Sequence, residues 1–250
     1  MKEKRIDLIK EYILDKENVT LKELEDHFNV SMNTIRRDVA KLIKDPRFEK
    51  VYGGVSVKKN DLVSFENRNV ENKNIKKVIS EKAASLIEDG DLIYIDSGTT
   101  TKYILDYLKH DISLTIITNS LDVVLKSETF DNVSVFLIGN IFKRETRSFV
   151  GLTPDHVIEK YNISKAFMAA TAVSVNNGLM NSDFMEYEIK KSIVSKANKI
   201  YLLTDESKFS KSTLLTYAHL EDLDGIITDK EFDEGYKSTL ANNGVAVFSV

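Results

Sequence analysis

The 250-residue chain contains no cysteine, which removes disulfide scaffolds and thiolate metal sites together. It has no apolar run of ~18 residues, and its opening stretch, MKEKRIDLIKEYIL, breaks the apolar residues with charges at helical spacing. Neither a spanning helix nor a signal peptide is therefore expected, no membrane partner either, and the cytoplasm is the default compartment. Nucleotide fingerprints are missing as well. GxxxxGK(S/T) and GxGxxG are both absent, which leaves ATP, GTP and NAD without a signature. His27, His110, His156 and His219 show no pairing at metal-ligand spacing and read as surface or packed residues, so no metal and no cofactor is expected.

What the chain does have is ordinary for a folded protein. With 42% apolar and 30% charged residues, it can form one large domain or a small one followed by a large one. The net charge of −4 conceals an asymmetry, because residues 31–59 carry eight Lys and Arg against three Asp and Glu, an excess of +5 on a remainder of −9. A basic patch on an acidic chain suits a phosphate-backbone partner. So short a run is also what a solvated surface looks like.

Ile6, Ile9 and Ile13 share one face within residues 5–14, predicting a first helix that ends near Asp15. Thr20 with Glu23 is a capping-box signal, and Leu21, Leu24 and Phe28 line the helix it opens. Asn29 and Val30 then make a tight turn, Ser31 is a natural N-cap, and Ile35, Val39, Leu42 and Ile43 mark the buried stripe of a third helix. Two short helices and a tight turn read as helix-turn-helix. At about 100° per residue, Asn33, Arg37 and Lys44 point away from that stripe, Thr34, Ala40 and Lys41 flank the outer face, and Arg36 and Asp38 lie near its edges. Asn and Arg pair with adenine and guanine edges in a major groove, so Asn33 and Arg37 are expected to read bases. Arg36 suits a phosphate, or a carboxylate of this chain near Asp38. The competing reading is an exposed charged helix of a helical bundle.

The segment FEKVYGGVSV alternates apolar residues around Gly53-Gly54, a hairpin signal that makes a wing after the recognition helix. Lys50 on it can reach a phosphate, and Tyr52 is expected to pack on the helices. VSMNTIRRDVAKL followed by KVYGG resembles the N-terminal winged helix of DeoR-type bacterial transcriptional regulators, with Pro46 where that family commonly has Gly. DNA contact is accordingly expected from Ser31, Asn33, Thr34, Arg36, Arg37, Lys41 and Lys50.

Residues 58–74 are polar and Asn-rich and read as a linker between a DNA-binding domain over 1–57 and a larger domain over 75–250. Within the linker, Phe65 and Arg68 resemble the F-x-x-R of the same family. Ile75, Val78, Ile79, Ala83, Leu86 and Ile87 then form an amphipathic helix that stops at Asp89-Gly90. Beyond it, short continuous apolar runs alternate with helices, the pattern of a buried parallel sheet. LIYI runs into Asp96, LTIIT into Asn119-Ser120, VFLI into Gly139-Asn140, IYLLT into Asp205, and GIIT into Asp229. In an open α/β sheet ligands sit at the carboxyl ends of strands, so five polar strand ends are expected to share one pocket.

The first of these ends, IDSGTTT, places a Gly and three Thr before a helix expected near Lys102. Backbone N–H groups, a helix dipole and hydroxyl donors would face an anion there. A capped turn without a ligand is the alternative. Acidic strand ends beside such a cradle suit a polyol phosphate, with carboxylates and amides accepting sugar hydroxyls.

IDSGTTT, ITNS, the helix with Glu186 and Lys190, and TDESKF also resemble the DeoR-type sensor domain. That resemblance implies a Rossmann-like, open α/β fold similar to ribose-5-phosphate isomerase and a phosphorylated sugar as effector. Carried across residue by residue, it gives Asp96, Ser97, Gly98, Thr99, Thr100 and Thr101 to the phosphate and nearby hydroxyls, Asn119 to the pocket floor, and a phosphate charge to Lys208. Glu186 and Asp205 join the effector set, although Glu186 and Lys190 at helical spacing also read as a surface ion pair. Gly139-Asn140 and AFMAATAVSV depart from the family pattern and are expected to add side chains near the pocket.

The whole chain thus reads as a non-enzymatic regulator, a repressor of sugar metabolism genes that binds operator DNA as a dimer or tetramer. The alternative is a sugar-phosphate isomerase with an accessory DNA-binding or interaction module, using Glu186 or Asp205 as base. No second acid/base pair with a supporting lysine stands out in the sequence to favour it.

Overall fold

The structure is a computed structural model that describes residues 2–16, 18–43, 45, 48–51, 54–57, 65–151, 158 and 160–250. The chain divides into two compact units, Met1–Val63 and Ser64–Val250.

In the first unit, helix α1 (Lys2–Lys16), strand β1 (Asn18–Thr20), helices α2 (Leu21–Phe28) and α3 (Met32–Leu42), and strands β2 (Phe48–Val51) and β3 (Gly54–Val57) follow in order. Thr20 and Glu23 form the capping box at the start of α2, and Asn29 ends it in the left-handed conformation at φ 49°. Ser31 stands at the N-cap of α3 with extended backbone, yet its hydroxyl pairs with that of Thr34 at 3.0 Å instead of capping a backbone N–H. The helical stripes meet in a core of Ile9, Ile13, Leu24, Ile35, Val39 and Leu42. β2 and β3 form the antiparallel hairpin, with Phe48 opposite Val57. Sequence pattern missed β1, which adds a third strand on β3. Its three residues are too few to show a period, and only the burial of Val19 reveals its role. Lys44, Pro46, Tyr52 and Gly53 lie outside the described residues.

The second unit begins with helices α4 (Phe65–Val70) and α5 (Lys73–Ala84). Residues 65–74, expected in the linker, are thus helical for most of their length and fall within this unit. Their sparse apolar content hid the helix, but Phe65 alone is buried and anchors it. There follow β4 (Leu92–Ile95), β5 (Leu114–Thr118), α6 (Leu121–Ser127), β6 (Val133–Leu137), β7 (Ile141–Lys143), β8 (Ser148–Val150), β9 (Lys165–Met168), β10 (Ala172–Ser174) and β11 (Gly178–Asn181). Helix α7 (Phe184–Val194), β12 (Ile200–Leu203), β13 (Leu215–Ala218), β14 (Gly225–Thr228), α8 (Glu234–Asn242) and β15 (Ala246–Ser249) complete it.

Seven strands form one sheet in the order β15-β14-β12-β9-β4-β5-β6, every neighbouring pair parallel. Both faces are covered. Tyr94, Met168, Leu202 and Ile226 point into one apolar cluster, and Ile93, Ile95, Phe167, Leu203 and Ile227 into the other, which is why the strands read as continuous apolar runs. From β4 the chain first steps to β5 and β6, then returns to the opposite side of β4 as β9. That reversal opens a crevice at the carboxyl ends of β4 and β9, the place where open α/β sheets bind ligands.

Lys76 of α5 fastens α4 to this scaffold. Its buried ammonium donates to the carbonyls of Arg68 and of Glu71, the latter at 2.8 Å, so the end of α4 has charged donors for carbonyls that lack helical partners. Burial depresses the Lys76 pKa from 10.5 to about 8, against the pull of Asp205. Between these values the unfolded chain holds a proton that the folded chain has released, so stability rises with pH across that window and is independent of this group below it. Relative to Lys76→Met, the wild type is expected to gain stability in urea denaturation as pH is raised from about 8 to 10, with no pH-dependent difference between the two below about pH 7.

Candidate functional site

On the first unit, Ser31, Asn33, Arg36, Arg37, Lys41 and Lys50 are exposed, and Thr34 is half-buried behind them. α3 therefore presents an amide and two guanidinium groups from its first turns. Asp38 is not available to Arg36. It is buried against α1, where Arg5 holds its Oδ2 through Nε at 2.8 Å and Nη2 at 2.7 Å. Both exposed arginines are left free of carboxylate partners among the described residues, which keeps the outer face cationic.

On the second unit, the crevice is lined by Ser97, Gly98, Thr99 and Thr100 after β4, by Ala169, Ala170 and Thr171 after β9, and by Thr204, Asp205 and Lys208 after β12. Asn181, Glu186, Lys190, Thr146, Phe65 and Arg68 close its sides. Three strand ends build it, not the five expected. The polar residues after β5, β6 and β14 go elsewhere: Asp229 accepts from the Glu206 N–H at 2.8 Å, and Asn140 is exposed. At Gly139, φ is +99° and a Cβ would stand 2.4 Å from the Phe149 carbonyl carbon, so this glycine serves the close approach of β8.

Beneath the crevice lies a buried ionic joint. The Asp96 carboxylate is fully buried and accepts from Lys190 Nζ, from the Ala169 N–H at 2.9 Å and from the Ser97 N–H at 2.9 Å. Lys190 also donates to the Ala169 carbonyl at 2.9 Å and lies over the Tyr217 ring. Tyr94 donates to Asn119 Oδ1 at 3.0 Å and Tyr217 to the Ala169 carbonyl at 3.0 Å. Burial raises both phenols well above their ordinary pKa, aided by the Asp96 charge, which keeps the hydroxyls protonated as donors.

The Glu186–Lys190 surface pair, the alternative to a place for Glu186 in the effector set, does not form. Both side chains are buried on α7 and turn to different partners: Lys190 takes Asp96, while Glu186 accepts from Ser148 Oγ at 2.9 Å and Asn181 Nδ2 at 3.1 Å. Lys190 thus supports Asp96 and not Glu186 or Asp205, in a pair that no local pattern connects.

The SGTTT loop also differs in detail. A 3-10 helix, Thr101–Tyr107, follows it instead of an α-helix, so no extended helix dipole faces the crevice. The Thr101 hydroxyl is fully buried and tied into the loop, accepting from the Gly98 N–H at 3.0 Å and donating to the Asp96 carbonyl at 2.6 Å. Asp96, Thr101 and Asn119 thus support the crevice from beneath, while Ser97, Gly98, Thr99, Thr100, Glu186, Asp205 and Lys208 line it. Among the described residues the Thr99 and Thr100 N–H groups have no acceptor and the buried Ser97 hydroxyl has no partner. Arg68, Asn181 and Thr171 were missed as lining residues. F-x-x-R was the sole sequence signal for the first, and nothing marked the other two.

A winged helix-turn-helix unit followed by an open α/β unit with a polar switch-point crevice is the build of a ligand-sensing transcriptional regulator. Residues 5–61 match the DeoR-like helix-turn-helix domain and residues 71–230 the DeoR C terminal sensor domain, and the chain belongs to the DeoR family of transcriptional regulators, which are not enzymes. It is 51% identical over 237 residues to the HTH-type transcriptional regulator IolR of Bacillus subtilis, covering 94% of each chain. It is 31% identical over 238 residues to the lactose phosphotransferase system repressor of Staphylococcus aureus, covering 93% of this chain and 94% of that one. The L-fucose operon activator of Haemophilus influenzae is 28% identical over 232 residues, covering 92% and 93%. Among solved structures, ribose 5-phosphate isomerase A from Neisseria gonorrhoeae matches over 58% of this chain and 56% of its own, at 16% identity and a TM-score of 0.41. Among the described residues no helix is long and apolar enough to cross a membrane.

Lys190→Met leaves the Asp96 carboxylate buried without its cation, and the expected loss in urea denaturation is about 3–5 kcal/mol. Combining it with Asp96→Asn removes both charges, and the pair is expected to cost clearly less than the sum of the two single changes.

Proposed function

We propose that the protein represses sugar metabolism genes by binding operator DNA through α3 and the wing, and that a phosphorylated sugar in the β4/β9 crevice alters its hold on that DNA. The observation that carries this reading is the crevice itself. It combines cationic side chains (Arg68, Lys208), loop N–H groups and hydroxyls without acceptors, and carboxylate and amide acceptors on its other walls. A phosphate suits the first set and sugar hydroxyls the second. The staphylococcal relative is named as a repressor, which supports that sense of regulation, whereas the Haemophilus relative is named as an activator. Residues 1–57 serve as the DNA-binding domain in this reading, with Asn33 and Arg37 on base edges and Ser31, Thr34, Arg36, Lys41 and Lys50 on the backbone. A dimer or tetramer places two such units on two half-sites, since a single winged helix reaches few bases.

Two measurements test the two halves. Asn33→Ala and Arg37→Ala are each expected to lose about 1–3 kcal/mol of discrimination between operator and random DNA, while Lys50→Ala weakens both alike. Equal losses on both DNAs for Arg37→Ala would remove its base-reading role.

For the effector half, a panel of sugar phosphates is screened by thermal shift, where a ligand at 100 times its Kd adds about 2.7 kcal/mol. The best ligand should then shift operator affinity in fluorescence anisotropy. Thr99→Val is expected to weaken that shift without changing binding in its absence. Gly98 makes a poorer probe, because a Cβ there would stand 2.5 Å from the Ala169 Cβ and disturb the loop whatever the ligand does. An unaltered response in Thr99→Val, or no response to any sugar phosphate, counts against the crevice as effector site.

A further inference from the structure

α4 is the first helix of the sensor unit, and its Arg68 side chain enters the crevice. The Arg68 Nε is buried and has no hydrogen-bond partner among the described residues. No carboxylate pairs with this guanidinium among the described residues. Glu186, the nearby acid whose charge acts on it, already has each oxygen engaged, by Ser148 and by Asn181. Lys208 lines the same crevice and likewise forms no ion pair among the described residues. Burial is the main cause that lowers the pKa of Lys76 and of Lys208, and the Arg68 charge lowers both further. Like charges gathered in a desolvated crevice call for an anion, and a guanidinium with a free Nε–H offers a fork for two oxygens of one tetrahedral group.

The helix that carries this arginine and the turn that follows it are tied down at several points on the crevice rim. Phe65 is buried in its wall, Lys102 donates to Asn69 Oδ1 at 2.5 Å, Lys76 holds the Arg68 carbonyl, and Asn72 Nδ2 donates to Asp205 Oδ1 at 3.2 Å. The crevice wall and the segment that follows directly on the DNA-binding unit are therefore one piece of chain. We propose that Arg68 binds the anionic group of the effector and that α4 is the element through which crevice occupancy is felt at the end of the DNA-binding unit. An anion held by Arg68 adds a bond between α4 and the SGTTT loop, so occupancy favours the docked helix and linkage makes the docked helix favour the anion. This inference rests on the effector reading above and adds to it a residue, a direction of coupling and a moving part.

The test uses the full chain with inorganic phosphate as probe, at constant ionic strength set with sodium chloride. Calorimetric titration gives the phosphate affinity, and hydrogen exchange is followed in the peptide spanning residues 65–70. In the wild type, phosphate is expected to slow exchange in that peptide. Arg68→Met should weaken phosphate binding tenfold or more and abolish the slowing. Arg68→Lys, which keeps the charge but not the fork, should retain part of both, and it keeps the proposal open to refutation should the Met variant fold poorly. Lys208→Met should weaken binding yet leave the slowing intact at saturating phosphate. Phosphate bound by Arg68→Met as tightly as by the wild type overturns the role of Arg68 and leaves the effector crevice standing. Phosphate that binds the wild type without slowing exchange in residues 65–70 overturns the coupling through α4. If the wild type ignores phosphate altogether, the anion-binding character of the crevice falls, and the present inference with it.

Discussion

The contact on which the sensor unit depends is the buried pair of Asp96 and Lys190. A carboxylate at the end of the central strand would be costly in so dry a place, and it is tolerated because an ammonium and two backbone N–H groups surround it. In return the pair joins three elements that hydrogen bonds of the sheet alone would leave unaligned at their tips: the loop after β4, the Ala169 backbone after β9, and the middle of α7. The lip of the crevice is the surface of this joint. Thr99 and Thr100 stand where they do because Asp96 and Thr101 have fixed the turn below them.

The same joint separates the chemistry of this crevice from that of an acid-base centre. Asp96 is sealed from solvent and Lys190 is committed to it and to a carbonyl, so neither is free to exchange a proton with a ligand above. Glu186 is similarly spoken for by Ser148 and Asn181. What faces the ligand space is a set of donors and spare cations beside acceptor oxygens such as those of Asp205, suited to holding a charged, hydroxyl-bearing group in place. Such a site discriminates by hydrogen bonds, and a polar group left unpaired by a wrong ligand is penalised more heavily than a missing apolar contact.

Local features were legible in the sequence. The Thr20–Glu23 capping box, the Ile35, Val39 and Leu42 stripe, and the apolar runs of β4, β5, β12 and β14 each depend on neighbours within one or two turns or on strand period, and each is found where its pattern put it. Pairings across the fold were not legible. Lys190 had a plausible partner four residues before it and a real one 94 residues away, and only the return of the chain to β9 beside β4 decides between them. The Arg5–Asp38 pair hid for the same reason, since it links two helices whose crossing no period announces. For the crevice, sequence reasoning collected the strand ends correctly as a class and could not tell which strands are adjacent. Asn119, at the tip of β5, proved to be support rather than lining, and Arg68, noted only for its F-x-x-R resemblance inside a stretch read as linker, was given no place in the crevice.

The strand order also bears on the sequence of events during synthesis. The winged unit closes on contacts within Met1–Val63, a stretch short enough to fold as a unit of its own. β4, the keystone of the sensor sheet, pairs Ile93 with Lys165, and β14 waits for β15 at the very end of the chain. Parallel pairings at such separation form late and slowly. The unit that meets DNA is thus closed by short-range contacts, while the unit that senses is closed by long-range ones, so the first has less of the chain to wait for.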